Sequence, residues 1–472
     1  MKDIGKAING VLKNEEEYAC KQHIYKILNM KKVVIIGGGF AGLNLARRLA
    51  ANKNFDITLV DKNNYHFFPP LLYQVSTAFI EPSNICYPFR KLMHGQRNLS
   101  FFMGELISVH PHENVIETSN GLLEFDYLVL ATGTETNYFG NESLKRNALP
   151  MKTIDDALRI RNHILLKMEE AVRASSPRAT VRLKNIVIAG GGPTGVEMAG
   201  MIAEMAINIA TKEYRDTSFT TGHIYLINSG ASLLAPMSTT AQQEAYQVLE
   251  SLGVKVMLKT LVKDYIDETV ILNNGDEIPS ATLIWCSGVE ARKIKGLPEN
   301  VFAGGNRIIV DAINRVHGTE NIFAIGDLCF QTTDLGFPKA HPQVAQVAIQ
   351  HGKTLAKNLE RLSASRPTVP FVYHDRGKMA IISKYRAVVD LQKGSMKGFF
   401  AWLVWLFIHV IPLVSARNRL KVLLNWGTSF VTNDAALRLI IRPETEKHQT
   451  FAHLPEVHAI ELNRAPVYTE YK

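Results

Sequence analysis

The strongest local signal along the chain is a short apolar run, Lys32-Val33-Val34-Ile35-Ile36, that gives way to Gly37-Gly38-Gly39-Phe40-Ala41-Gly42. A β-branched run without polar alternation predicts a strand buried on both faces of a parallel sheet. The glycines predict a tight turn into a helix over 43–51. Asp56-Ile57-Thr58-Leu59-Val60-Asp61 then predicts a second strand ending in an acid, with Lys62 beside it. The same order recurs 153 residues further on: an apolar run at 185–189, then Gly190-Gly191-Gly192-Pro193-Thr194-Gly195, a helix from Val196 to about Ala210, and an apolar run at 223–227. Strands alternating with helices in this way predict an α/β fold with parallel sheets.

Each glycine has a physical task. Gly37 permits the tight turn, Gly39 lets the backbone approach a pyrophosphate, and Gly42 allows close packing of helix on strand. The helix N-terminus that follows, approached through Phe40 and Ala41, presents unpaired N–H groups and a positive dipole end to phosphate. Asp61, 24 residues after Gly37, can accept hydrogen bonds from ribose hydroxyls. Gly190, Gly192 and Gly195 repeat this set, with Thr194 beside the last of them. Two cradles predict two dinucleotides, one fixed and one exchangeable. The second strand ends in Asn228-Ser229. An acid there would accept from a 2′-hydroxyl and repel a 2′-phosphate, whereas Asn does the first weakly and the second not at all. The choice between NADH and NADPH therefore stays open at this point.

Three more strand ends place small or acidic residues near the cradles: Thr132-Gly133 after 125–131, Ser287-Gly288 after 282–286, and Gly326-Asp327 after 321–325. An acid at the last edge suits the ribityl hydroxyls of a flavin. The predicted organisation is nested. A first dinucleotide domain comprises 31–150 and 291–365, a second comprises 151–290, and a C-terminal region runs over 366–472 with strands near 379–382 and 387–391. Residues 1–30 read as an extension outside the fold.

Composition narrows the class. The chain has 472 residues, 46% hydrophobic and 21% charged, which suits a multidomain globular protein and excludes collagen-like and disordered classes. The four cysteines, Cys20, Cys86, Cys286 and Cys329, form no closely spaced pair, which argues against a disulfide framework, a zinc ribbon or a redox dithiol. Nothing predicts a catalytic metal. The first thirty residues carry five Lys and no Arg, and lack the apolar core of a secretory signal. A net charge of +9 is compatible with an anionic membrane or with nucleic acid, yet the basic residues form no nucleic-acid recognition motif.

The two cradles, Ala-Thr-Gly-Thr-Glu-Thr-Asn at 131–137, Phe-Ala-Ile-Gly-Asp at 323–327 and Ala345-Gln346-Val347-Ala348-Ile349-Gln350 resemble the type II NADH:quinone oxidoreductases, within the flavoproteins that carry two dinucleotide-binding domains. The resemblance covers about residues 31–442. It implies FAD as resident cofactor and NADH as substrate. It also implies hydride transfer to the flavin, then passage of two electrons to a membrane quinone without proton pumping. Gln346 and Gln350 match the family's quinone-site motif; four residues apart, they share one helix face, and each amide offers a donor and an acceptor. Glu197 matches a Glu that the family places near the nicotinamide and the flavin.

The segment 399–414 is apolar but short, and contains His409 and Pro412, so it would not comfortably span a bilayer. Between Lys393 and Asn433 there are five Lys or Arg and no acid, together with Trp402, Trp405 and Trp426. This pattern predicts interfacial helices around 396–440 on an anionic membrane surface, with the tryptophans at the interface. The expectation is a peripheral protein on the cytoplasmic face of the cell membrane, with homodimer formation left open. The competing expectations are a soluble FAD-dependent NAD(P)H reductase serving a protein acceptor such as ferredoxin, and a flavoprotein that mainly binds nucleic acid.

Overall fold

In the computed structural model of the chain, residues 30–210, 213, 222–432 and 438–441 are described. The predicted N-terminal extension, with Cys20, falls outside them except for Met30. The first third of the chain contributes β1 (Lys31–Ile36), α1 (Phe40–Leu49), β2 (Phe55–Asp61), β3 (Leu99–Met103) and β4 (Tyr127–Leu130). The middle contributes β5 (Leu149–Pro150), α2 (Ile154–Val172), β6 (Ile186–Ala189), α3 (Pro193–Met205), β7 (Ile224–Asn228), β8 (Val254–Leu258) and β9 (Thr282–Trp285). Then follow β10 (Ile322–Ala324), α4 (Ala345–Ser363), β11 (Lys378–Ser383), β12 (Arg386–Leu391), β13 (Gly394–Gly398), α5 (Phe399–Val410) and α6 (Ala416–Thr432). Shorter elements lie between them.

Two five-stranded sheets dominate. The first has the order β10-β4-β1-β2-β3 and the second β5-β9-β6-β7-β8, each built from parallel neighbours. Ile35 pairs with Leu59 on one side and Val129 on the other. Ile188 holds the matching place between Leu226 and Ile284. Both glycine-rich turns leave the central strand of their sheet, where the chain crosses to opposite sides and a crevice opens at the carboxyl ends of the strands. Val33, Ile35, Val187 and Ile188 have no exposed surface, as continuous apolar runs in covered parallel sheets require.

The third layer is the antiparallel sheet β11-β12-β13. Its third strand went unpredicted because Gly-Ser-Met-Lys-Gly carries no apolar alternation; pairing of Val389 with Met396 holds it in place. Strand β11 lies against α3 so closely that a Cβ on Gly200 would sit 1.6 Å from the Ile382 carbonyl oxygen. In the same way Gly352 lets α4 rest on α1, where a Cβ would lie 2.4 Å from the Ala41 carbonyl oxygen.

The apolar segment after β13 folds as two helices with a break at 411–415 that contains Pro412. No helix among the described residues is long and apolar enough to cross a membrane. The tryptophans do not lie at an interface as the sequence suggested. Trp402, Trp405 and Trp426 are buried, in one core with Tyr73, Ala199 and Ile202. The reason is helical periodicity: 402 and 405 share the inward face of α5, whereas Phe399, Phe400, Leu403, Phe407, Ile408 and Ile411 remain exposed, with Leu420, Leu423 and Leu424 on α6.

Candidate active site

The two cradles have the same local construction. Gly37 and Gly190 adopt φ of +101° and +115°, and a Cβ at either would collide with the carbonyl group of Ala131 or Cys286. Gly37 N–H donates to Val60 O, and Gly190 N–H to Ile227 O, each at 2.8 Å. A Cβ on Gly42 would lie 2.0 Å from Gly37 O, and one on Gly195 1.8 Å from Gly190 O, so only glycine lets each helix start this close to its strand. Beside Gly39 and Gly192 there is open space within 4 Å, at the start of a helix whose first N–H groups have no intrahelical partner. These open cradles fit a pyrophosphate.

The strand-end residues play equivalent parts. Gly38 N–H donates to Asp61 Oδ2 at 2.7 Å, and Gly191 N–H donates to Asn228 Oδ1 at 3.1 Å. Each side chain thus braces its own glycine turn. Asp61 Oδ1 also accepts from Asn63 N–H at 2.8 Å, and Asn228 Nδ2 donates to the carbonyls of Gly230 and Ser232. Burial raises the Asp61 pKa against the pull of these backbone donors and of Lys62. His66, buried, donates Nδ1–H to Gly38 O at 2.9 Å and is held neutral by burial.

Gly133, Gly288 and Gly326 all have positive φ, so the chain turns sharply after β4, β9 and β10. Thr132 and Ser287 stand just before two of these turns. Asp327 is partly buried, and burial raises its pKa while Lys152 and Arg307 oppose that rise. Lys152 in turn donates to Thr134 Oγ1 at 2.8 Å. Sequence reading missed Lys152 and Arg307, because no spacing rule links either residue to the Gly326–Asp327 edge.

Glu197 and Glu204 lie seven residues apart on α3, hence on one face, and that face meets β11 on both sides of Gly200. The backbone N–H of Ile381 donates to Glu197, and that of Lys384 to Glu204. Burial nevertheless pushes Glu197 up to about 8 and Glu204 up to about 7. Cys286 and Tyr73 feel the Glu197 charge, and burial raises both of their pKa values. The Tyr73 hydroxyl accepts from Gln74 Nε2, whose Oε1 accepts from Trp426 Nε1–H, each at 2.8 Å. Both carboxyls thus lie where α3 meets β11, with their pKa values raised by burial.

Gln346 and Gln350 share one face of α4, as expected, but their amides are engaged. Gln346 donates to Gly377 O at 2.9 Å and accepts from Arg376 N–H at 3.2 Å. Gln350 donates to His374 O at 2.9 Å and accepts from His374 N–H at 3.1 Å. The pair clamps the backbone of 374–377, the approach to β11. Each amide retains one N–H and one lone pair. Among the described residues no group of three His, Cys, Asp or Glu side chains could hold a metal ion, and Cys86, Cys286 and Cys329 are free thiols.

Comparison with known proteins is consistent along the chain. Residues 31–352 match the family described as pyridine nucleotide-disulphide oxidoreductase, and residues 375–433 match the NDH2 C-terminal domain. The chain is 34% identical over 421 residues to a Mycobacterium tuberculosis protein named type II NADH:quinone oxidoreductase Ndh, covering 85% of this chain and 88% of that one. It is 28% identical over 432 residues to the Haemophilus influenzae type II NADH:quinone oxidoreductase, covering 83% and 96%. A solved structure of NDH2 from Plasmodium falciparum in complex with NADH superposes with a TM-score of 0.80 at 20% identity, covering 87% of this chain and 100% of that one, so the fold is shared.

Proposed function

The chain belongs to the type II NADH:quinone oxidoreductases, and on that premise we propose that it oxidises NADH and reduces a membrane quinone by way of bound FAD, without pumping protons. When bound, FAD would accept two electrons from the nicotinamide and release them to the quinone. In this reading Gly37, Gly39, Phe40, Ala41 and Gly42 cradle the FAD pyrophosphate, Asp61 with Lys62 meets its ribose, and Thr132, Gly133, Gly326 and Asp327 border the rest. Gly190, Gly192, Thr194, Gly195 and Asn228 receive NADH, and Ser287 and Gly288 line its approach. Glu197 supplies or stores a proton beside them. Gln346 and Gln350, each with an amide N–H in reserve, hold the 374–377 segment and grip a quinone carbonyl. The corresponding domains are 31–150 with 291–365, 151–290 and 366–472.

The observation that carries this reading is the pair of matched open cradles in one chain, with the exposed apolar faces of α5 and α6 on the C-terminal region. Phe400 and Phe407 are 74% and 70% exposed, and Lys393, Arg417 and Arg419 are exposed as well. Such a surface suits an anionic lipid headgroup layer on the cytoplasmic side. A homodimer through the same face is the competing use, which sedimentation decides. The deciding assay is spectroscopic. The purified protein should be yellow, bleach on adding NADH, and regain colour on adding a water-soluble quinone. A colourless chain that takes up no flavin on reconstitution would end this reading.

A further inference from the structure

Behind the Gly326–Asp327 turn lies a buried polar row that the proposed chemistry leaves unused. His341 and His351 are 2% and 1% exposed. Their rings stand edge to face with centroids 5.7 Å apart, and Phe371 lies against both. Gly326 N–H donates to His351 Nδ1 at 3.1 Å. A ring nitrogen that accepts carries no proton, so the hydrogen of neutral His351 is on Nε2. Burial, reinforced by His341 and Arg307, holds this ring neutral.

At the other end His341 Nε2–H donates to Asp334 Oδ2 at 2.9 Å. The same oxygen accepts from Tyr373 N–H at 2.9 Å, and Oδ1 accepts from Gly336 N–H at 2.9 Å. With Nε2 engaged as donor, His341 is left with Nδ1 as its second polar ring atom. His351 Nε2 and His341 Nδ1 are both buried with no partner among the described residues. Water both donates and accepts, so one molecule can pair with both nitrogens. An unpaired buried polar group costs about 1–3 kcal/mol, whereas immobilising a bridging water costs about 0–2 kcal/mol.

We propose that one buried water joins His351 Nε2 to His341 Nδ1, and that the two histidines are positioning residues for the Gly326–Asp327 turn. The row then runs without a gap from Gly326 N–H through His351, the water and His341 to Asp334, and ends on Tyr373 N–H. It ties the turn to segment 371–377, the same segment that Gln346 and Gln350 grip from α4. The functional half of this inference rests on the reading that Asp327 borders FAD.

Two measurements on the flavin-loaded protein test it. A crystal structure that resolves solvent should show a peak within hydrogen-bonding distance of both nitrogens; direct contact or an empty gap overturns the bridge. Flavin release, followed by fluorescence, should rise about fivefold in H351L and in H341L, the worth of one hydrogen bond. The double variant should release flavin no faster than either single one, and H351N, which keeps an acceptor for Gly326, should fall between H351L and the parent. Multiplicative losses in the double variant, or unchanged release in both singles, remove the positioning role. Should the parent chain bind no flavin, the active-site reading fails, while the solvent peak still decides the bridge.

Discussion

Gly200 and Ile382 are in backbone contact: the α3 helix lies directly on the β11 carbonyl, with no room for a methyl group between them. This contact is what brings the Ile381 and Lys384 amides onto Glu197 and Glu204. Gly200→Ala should push the helix off the strand and destabilise the protein by about 1–3 kcal/mol, the range for overpacking. A thermal melt measures the loss. A melting temperature equal to that of the parent would show that the contact yields freely.

Stability should depend on pH through the two carboxyls. Burial raises Glu197 to about 8 and Glu204 to about 7. Between about pH 4.5 and 8 the folded chain keeps a proton on Glu197 that the unfolded chain has released. The stabilising contribution is therefore fully present at the acid end and is lost as pH rises to about 8. Glu197→Gln escapes this loss. Its melting temperature relative to the parent should climb from pH 5 to 8 and then level off; a difference independent of pH contradicts the assignment.

Replacing both Gln346 and Gln350 with Ala should sharply reduce quinone turnover while flavin remains bound. Because these amides also hold the 374–377 backbone, hydrogen exchange there should accelerate in the same variant. Unchanged quinone kinetics would leave the pair with a purely architectural role.

Asn228 presents no carboxylate to a 2′-phosphate. Asn228→Asp should favour NADH over NADPH in kcat/KM by about tenfold, which corresponds to about 1.4 kcal/mol of discrimination. The variant gives up the Nδ2 donors to Gly230 and Ser232, so its KM for NADH should rise somewhat as well. Steady-state kinetics with both nucleotides check this. An unaltered ratio would place the ribose elsewhere.

The two faces of α5 should respond differently to mutation. Phe400→Asp with Phe407→Asp alters exposed positions and should abolish co-sedimentation with anionic vesicles while the fold melts normally. Trp405→Ala, at a fully buried position, should cost about 3–5 kcal/mol of stability. Removing everything after Gln392 would delete buried tryptophans together with the exposed face, so point variants separate the two roles and a truncation does not.

The sequence by itself determined the two strand–glycine–helix units, their parallel sheets and the family, because glycine turns and apolar runs act locally and leave a local record. It also marked α4 as a helix with Gln346 and Gln350 on one face. Only the tertiary structure decided what those side chains touch. The glutamine amides grip a segment about 25–30 residues away, and the tryptophans expected at an interface fill a core. Lys152 and Arg307 reach the Asp327 edge from distant parts of the chain. Partners of this kind are chosen by tertiary packing, where burial and long-range hydrogen bonding prevail over local pattern, and a linear reading carries no trace of them.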